Sequence, residues 1–229
     1  MASGDSHWVN WHADYDDPTS RLNVRLRHVQ AALVSALGEQ PPGPISVISV
    51  CAGQGRDVID VLGGGVGADR TPDVRALLLE LDPELVAFAR ARAEAAGVGD
   101  QVTIVEGDAS AARMYADAVP AGVVLICGVF GNISADDIHR TIAALPTLCS
   151  LGASVIWTRH RRPPDLNPFV RSEFAQAGFE EQSFVAPEGH VLCVGRHRLV
   201  APAAAATPPD PFDPSLRLFD FIGDGEQPA

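Results

Sequence analysis

The stretch from Ile45 to Asp57, I-S-V-I-S-V-C-A-G-Q-G-R-D, limits the fold of this chain more than any other. A Val- and Ile-rich run ends in small residues, and the amphipathic Val58 to Leu62 follows. That order predicts a buried strand, a tight loop and the start of a helix. Gly53 and Gly55 lack the Cβ atoms that keep a ligand away from the main chain, and a helix start offers free N–H groups to partial negative charge. The loop is therefore expected to receive an adenosyl or phosphate group.

Spacing narrows the ligand. A dinucleotide loop needs a third small residue at the position held here by Val58, which is too large for close packing of helix on strand. A Walker-type phosphate loop needs a lysine, and the sequence contains none: apart from histidine, every basic residue is arginine. The same absence removes a Schiff-base lysine for pyridoxal phosphate.

The length of 229 residues suits one α/β domain with small terminal additions. A net charge of −12 opposes binding to phosphate backbones, so small molecules are expected as partners and nucleic acid is not. No apolar run reaches the roughly 18 to 20 residues that span a bilayer, and the N-terminus lacks a secretion pattern, so a cytoplasmic protein without membrane partners is expected. Cys51, Cys127, Cys149 and Cys193 form no C-x-x-C pair and read as buried, reduced thiols.

Residues 1–44 are expected to form an N-terminal lid segment and a helix. The aromatic, acidic start contains Trp8, Trp11, His12 and Tyr15, and Leu22, Leu26, Val29, Leu33 and Leu37 then mark an amphipathic helix ending at Gly38. Strands are expected at 45–50, 76–81, 102–105, 122–127 and 153–158, with helices from Val58, over 85–96 and over 136–149. A further helix over 169–177 precedes a hairpin, F-E-E-Q-S-F-V with H-V-L-C-V-G-R-H, that adds an antiparallel pair. The main domain thus covers 45–200, and 201–229 is a Pro/Ala linker followed by an apolar patch expected to dock on the domain. Alternation at this spacing predicts an α/β, Rossmann-like, doubly wound sheet of seven strands, mostly parallel. Ligands gather at the carboxyl ends of such strands, where Gly53, Glu80, Asp108, Asn132 and His160 all fall.

The pattern resembles the class I S-adenosylmethionine-dependent methyltransferases over roughly residues 45 to 198. The matching pieces are V-I-S-V-C-A-G-Q-G-R-D, E-L-D-P-E after the second strand, E-G-D-A after the third, and the late hairpin. The N-terminal W-H-A-D-Y-D-D-P and C-G-V-F-G-N-I-S also look like a group of small actinobacterial methyltransferase-like proteins. The resemblance implies S-adenosylmethionine as cofactor, held along Cys51, Ala52, Gly53 and Gly55, with the two glycines against its methionine and ribose portions. It implies that Glu80, beside Leu81, accepts from both ribose hydroxyls, that Asp108 receives the adenine amino group and the Ala109 N–H a ring nitrogen, and that Cys127 and Gly128 line the methionine end. Cys51 stands where such sequences often carry an acid, and Asp57 where they carry a third glycine. The contact to the methionine amino group is left open; Asp57 supplies it only if the loop bends differently.

A sulfonium is already a strong electrophile, so the protein chiefly aligns a nucleophile and excludes water. On the acceptor side the candidates are His160 and Tyr15 for catalysis, and His12, Asn132 and Arg159 for substrate binding. His160 is either a base for a hydroxyl or amine, or a surface histidine in a basic loop. The run Arg159 to Arg162 is either an anion site or a solvated loop. No metal is expected, since Cys127 stands where a ligating carboxylate would be needed. The expected activity is methyl transfer to oxygen or nitrogen of a small metabolite, with secondary metabolism as one setting. The rivals are a protein using the cofactor for other chemistry or regulation, and a nicotinamide-dependent oxidoreductase.

Overall fold

The computed structural model describes residues 15, 17, 19–64, 69–201, 213 and 215–222. His12, Trp8 and Trp11 lie outside them, and so does most of the Pro/Ala linker. Helix α1 (Arg21–Gly38) starts where Ser20 accepts the Asn23 N–H through its hydroxyl at 3.1 Å, a side-chain cap for an otherwise unpaired donor. Strand β1 (Ile45–Val50) leads into α2 (Arg56–Leu62), then β2 (Val74–Glu80) and α3 (Pro83–Ala95). Asp82 caps α3 and Pro83 opens it, as a proline without N–H can at a helix start. Strands β3 (Val102–Glu106) and β4 (Ala121–Ile126) come next, then α4 (Ala135–Leu148) capped by Ser134, β5 (Cys149–His160), α5 (Asn167–Gln176), β6 (Phe179–Val185) and β7 (Leu192–Leu199).

The seven strands form one sheet in the order β3-β2-β1-β4-β5-β7-β6. β7 runs antiparallel to both its neighbours, and the other pairings are parallel. This is the doubly wound, mostly parallel sheet with a late antiparallel strand that the alternation of elements predicts. Because the order turns back at β1, the carboxyl ends of β1 and β4 diverge into a crevice.

Every residue of β4 is buried, since both sheet faces are covered. Val123 and Leu125 pack with Val58, Ile59, Leu33 and Leu37 under α1 and α2; Val124 and Ile126 pack on the other face with Phe130, Ile142, Trp157 and Phe174. Trp157 is fully buried between α5 and β7, and its indole N–H donates to His197 Nδ1 at 3.1 Å. A Cβ at Gly195 would lie 2.3 to 2.6 Å from that indole, so only glycine lets β7 pass beside it.

Two elements add to or differ from the sequence reading. The crossover after β3, to which the sequence reading assigned no element, is a 3-10 segment, Ala112–Ala118, and its Tyr115 hydroxyl donates to Ala109 O in the core. Strand β5 runs to His160, so Arg159 belongs to the sheet instead of the basic loop. Helix α1 lies on the sheet, packing against α2, β4, β5 and β7. Residues 215–222 dock on the domain, with Leu218 and Phe219 buried.

Candidate functional site

The glycine loop between β1 and α2 is built by backbone geometry that few residues tolerate. Cys51, Gly53 and Gly55 have φ of 53°, 56° and 67°, in the left-handed region. Gly55 also has a packing role. A Cβ there would lie 2.7 Å from Ile59 Cδ1 and 2.8 Å from Leu78 Cδ2, so its missing side chain makes room for the helix to seat on the sheet.

Glu80, the last residue of β2, joins this loop. Its Oε2 accepts the Gly53 N–H at 2.7 Å, and its Oε1 accepts the N–H groups of Leu81 at 2.8 Å and Asp82 at 3.0 Å. A carboxylate offers about four lone-pair sites, so these three bonds leave one, on Oε2. Leu81 follows with 66% of its surface exposed, an apolar side chain beside a polar crevice. After β3, Asp108 Oδ1 accepts from the N–H and hydroxyl of Ser110 at 3.0 and 2.7 Å, while Oδ2 pairs with Arg217 at 3.0 Å. Burial pulls the Asp108 carboxyl up, but those bonds outweigh it and hold it below the usual carboxylate range. Ala109 is buried behind it.

At the end of β4, Cys127 is half-buried with its thiol pushed up to about 12 by burial, so it stays protonated. Gly128, at φ 80°, donates its N–H to Thr158 Oγ1 at 2.9 Å. Asn132 turns inward, its Nδ2 donating to Gly128 O at 2.6 Å, which folds the loop after β4 back on itself.

Between the ends of β1 and β4 sits a charged group that the sequence reading passed over. Arg25 is a buried arginine of α1 whose Nη2 donates to the Tyr15 hydroxyl at 2.6 Å. Tyr15, Cys127 and Asp57 are its electrostatic neighbours, and a Cβ at Gly128 would lie 4.0 Å from its Nη1. Burial raises the Asp57 carboxyl to about 6, against the lowering pull of Arg25 and of the Val58 N–H. The Arg56 guanidinium lies 4.9 Å above the Tyr15 ring and 5.3 Å from that of Phe88. Tyr15 is therefore fixed in a wall. Burial also raises its phenol above the ordinary value, which keeps it neutral. The missed signal was positional: Arg25 lies three residues after Leu22 and four before Val29, inside the apolar stripe of α1.

His160 packs against Gly131, where a Cβ would lie 3.2 Å from His160 Cδ2, so His160 and the Asn132 loop are neighbours. Desolvation and then the charges of Arg159 and Arg162 lower its pKa, favouring a neutral imidazole. Arg159 requires a correction. It is only 2% exposed, its Nε donates to Phe130 O at 2.9 Å and its Nη1 to His160 O at 3.3 Å, so it braces the loop from within the sheet instead of facing a substrate. His12, the remaining substrate-binding expectation, lies outside the described residues.

No protein-family model matches the chain, and neither does any curated protein. Solved structures do. An O-methyltransferase family protein from Burkholderia thailandensis superposes with a TM-score of 0.57 at 17% identity, covering 78% of this chain and 58% of that one. The O-methyltransferase family 2 protein of Planctomyces limnophilus, solved with apigenin, gives 0.57 at 20% identity, covering 78% and 60%.

The chain has the class I methyltransferase fold.

It spans about three-fifths of the length of those two proteins. An RNA methyltransferase from Salinibacter ruber, solved with S-adenosyl-L-homocysteine, shares the fold at TM-score 0.50 and 23% identity, over 80% of this chain and 95% of that one. Within the class I methyltransferase fold, Gly53, Glu80, Asp108 and Gly128 stand at the ends of β1, β2, β3 and β4, along one rim of the sheet.

Proposed function

We propose that this protein is an S-adenosylmethionine-dependent methyltransferase acting on oxygen or nitrogen of a small metabolite. The observation that carries the reading is the joined unit of Gly53 and Glu80: a left-handed glycine loop bonded at 2.7 Å to the acid that ends the neighbouring strand. The groups along the rim suit the cofactor in polarity. Leu81 gives an apolar platform for adenine, Asp108 Oδ2 an acceptor for its amino group, and Glu80 an acceptor for the ribose. Because Glu80 has one site left, binding both ribose hydroxyls exchanges at least one of its three backbone bonds.

The cofactor supplies a methyl group on a sulfonium, which needs no activation. The chain positions both partners and excludes water. Cys127 and Gly128 flank the methionine end, and Asp57 and Arg25 offer opposite charges to its ammonium and carboxylate. His160, neutral and beside Asn132, is placed to accept the proton of a hydroxyl or amine. Tyr15, held neutral, shapes the wall rather than acting as a base. A net charge of −12 supports a small acceptor over a nucleic acid, although one fold relative is an RNA methyltransferase.

Calorimetric titration with S-adenosylhomocysteine tests this on wild type and on Glu80→Ala. Micromolar binding that the substitution weakens by about 1–3 kcal/mol is expected. A folded wild type that binds NAD and not S-adenosylhomocysteine overturns the reading in favour of an oxidoreductase.

A further inference from the structure

We propose that the C-terminal segment 215–222 is the adenine-side wall of the cofactor site, with Arg217 as the residue that positions Asp108. The proposal rests on the methyltransferase reading, because it takes Asp108 as the acceptor of the adenine amino group.

The segment is stitched across both loops that frame the crevice. Leu216 O accepts the Ala112 N–H at 3.1 Å and the Leu218 N–H donates to Ser110 O at 2.7 Å, so Arg217 pairs with Ala111 as a short antiparallel bridge on the loop after β3. Farther on, the Ile222 N–H donates to Asn132 O at 3.0 Å and Phe221 bridges Ile133, on the loop after β4. Between them Leu218 and Phe219 are buried in the core cluster beside α4, and Thr141 Oγ1 donates to Leu218 O at 2.7 Å. One segment thereby ties the adenine end of the crevice to the acceptor end.

Arg217 does not hold this segment down. It is half-exposed, as is Asp108, and an exposed ion pair contributes little stability. Attachment comes from the buried Leu218 and Phe219 and from the backbone bonds. What Arg217 does is orient. Its Nη1 lies 3.0 Å from Asp108 Oδ2 and its Nη2 lies 2.9 Å from Asp220 Oδ1, so the guanidinium is anchored at both ends. Ser110 takes Oδ1 with two bonds. The carboxylate is then fixed against rotation, and its remaining acceptor capacity lies on Oδ2, fit for an amino group on the purine edge.

The experiment compares wild type, Arg217→Ala and Arg217→Lys by calorimetric titration with S-adenosylhomocysteine and with its analogue carrying a carbonyl in place of the purine amine. Hydrogen exchange at the Leu218 and Ile222 amides is followed in parallel. Arg217→Ala is expected to weaken S-adenosylhomocysteine about tenfold and to shrink the preference over the carbonyl analogue, while the Leu218 amide stays protected. Lysine restores part of both. Bound ligand is expected to slow exchange at Leu218 and Ile222, since a wall that binds ligand is stabilised by it in return. Unchanged or tighter binding by Arg217→Ala overturns the proposal, as does a loss of affinity that comes with release of the Leu218 amide and no rescue by lysine. If the folded wild type fails to bind S-adenosylhomocysteine at all, the methyltransferase reading falls; if wild type binds and Glu80→Ala alone weakens it, only the role of Arg217 falls.

Discussion

The Glu80 carboxylate accepts the Gly53 N–H at 2.7 Å, so the acid ending β2 and the loop after β1 form one hydrogen-bonded unit across two strands. The Gly53 amide is therefore a reporter of the site. In Glu80→Ala it is expected to exchange with solvent at least tenfold faster, while amides inside β1 keep wild-type rates. Hydrogen exchange read at single residues checks this, and uniform loss of protection would instead show that the sheet had opened.

Gly195 and Trp157 make the sheet intolerant of one methyl group. A Cβ on residue 195 would sit 2.3 Å from the indole, and the ring is fully buried. Gly195→Ala is expected to cost about 1–3 kcal/mol or more in urea denaturation, as overpacking does. A neutral effect would mean that the indole swings out.

Asp57 gives a pH dependence of known sign. Its folded pKa of about 6 lies above the ordinary 3.8, so the folded state holds the extra proton and stability falls as pH rises from about 4 to 6. Arg25, Asp60, Tyr15 and Cys127 face this carboxyl. Asp57→Asn is expected to be more stable than wild type at pH 7 by about 1–2 kcal/mol, after allowance for partial exposure, with the difference gone below pH 4. Denaturation midpoints at pH 4, 5, 6 and 7 read it directly.

His197 pulls the other way. Burial, with Glu181 opposing and Arg171 assisting, pushes its imidazole down to about 4, so the unfolded chain takes the proton first and stability falls as pH drops from about 6.5 toward 4. His197→Phe keeps the stack on Phe174 but loses the titration and the acceptor of the Trp157 indole N–H, so it is expected to lower stability at every pH and to flatten that acid limb. An unchanged acid limb would place the titrating group elsewhere.

Arg159 also acts through its neighbour. Desolvation first, and then the Arg159 and Arg162 charges, keep His160 below 6.5. Arg159→Met is expected to move the His160 titration part of the way back up, seen in its imidazole proton shifts by NMR. No movement would assign the whole effect to burial.

Much of this molecule was legible in the order of its residues because the signals are local. Period-two and period-3.6 apolar patterns, the glycines of the β1 loop and the acids at or just past the ends of β2 and β3 each depend on a few neighbouring residues, and together they specified the sheet and the rim where the proposed cofactor site lies. The roles of Gly55 and Arg159 were not legible. Whether a missing Cβ serves a ligand or the packing of Ile59 on Leu78, and whether an arginine near a loop faces water or braces Phe130 O, depends on contacts between elements far apart in the chain. Arg25 and Arg217 are stronger cases. Ten residues separate Arg25 from Tyr15 and 109 separate Arg217 from Asp108, and no periodicity carries pairing over such distances. The sequence by itself determined the layers, the order of strands and helices and the chemistry offered along the rim, since backbone preference and burial act locally. Only the tertiary structure decided which charges meet there, because ion pairs depend on distance in space and the folded chain alone sets that distance.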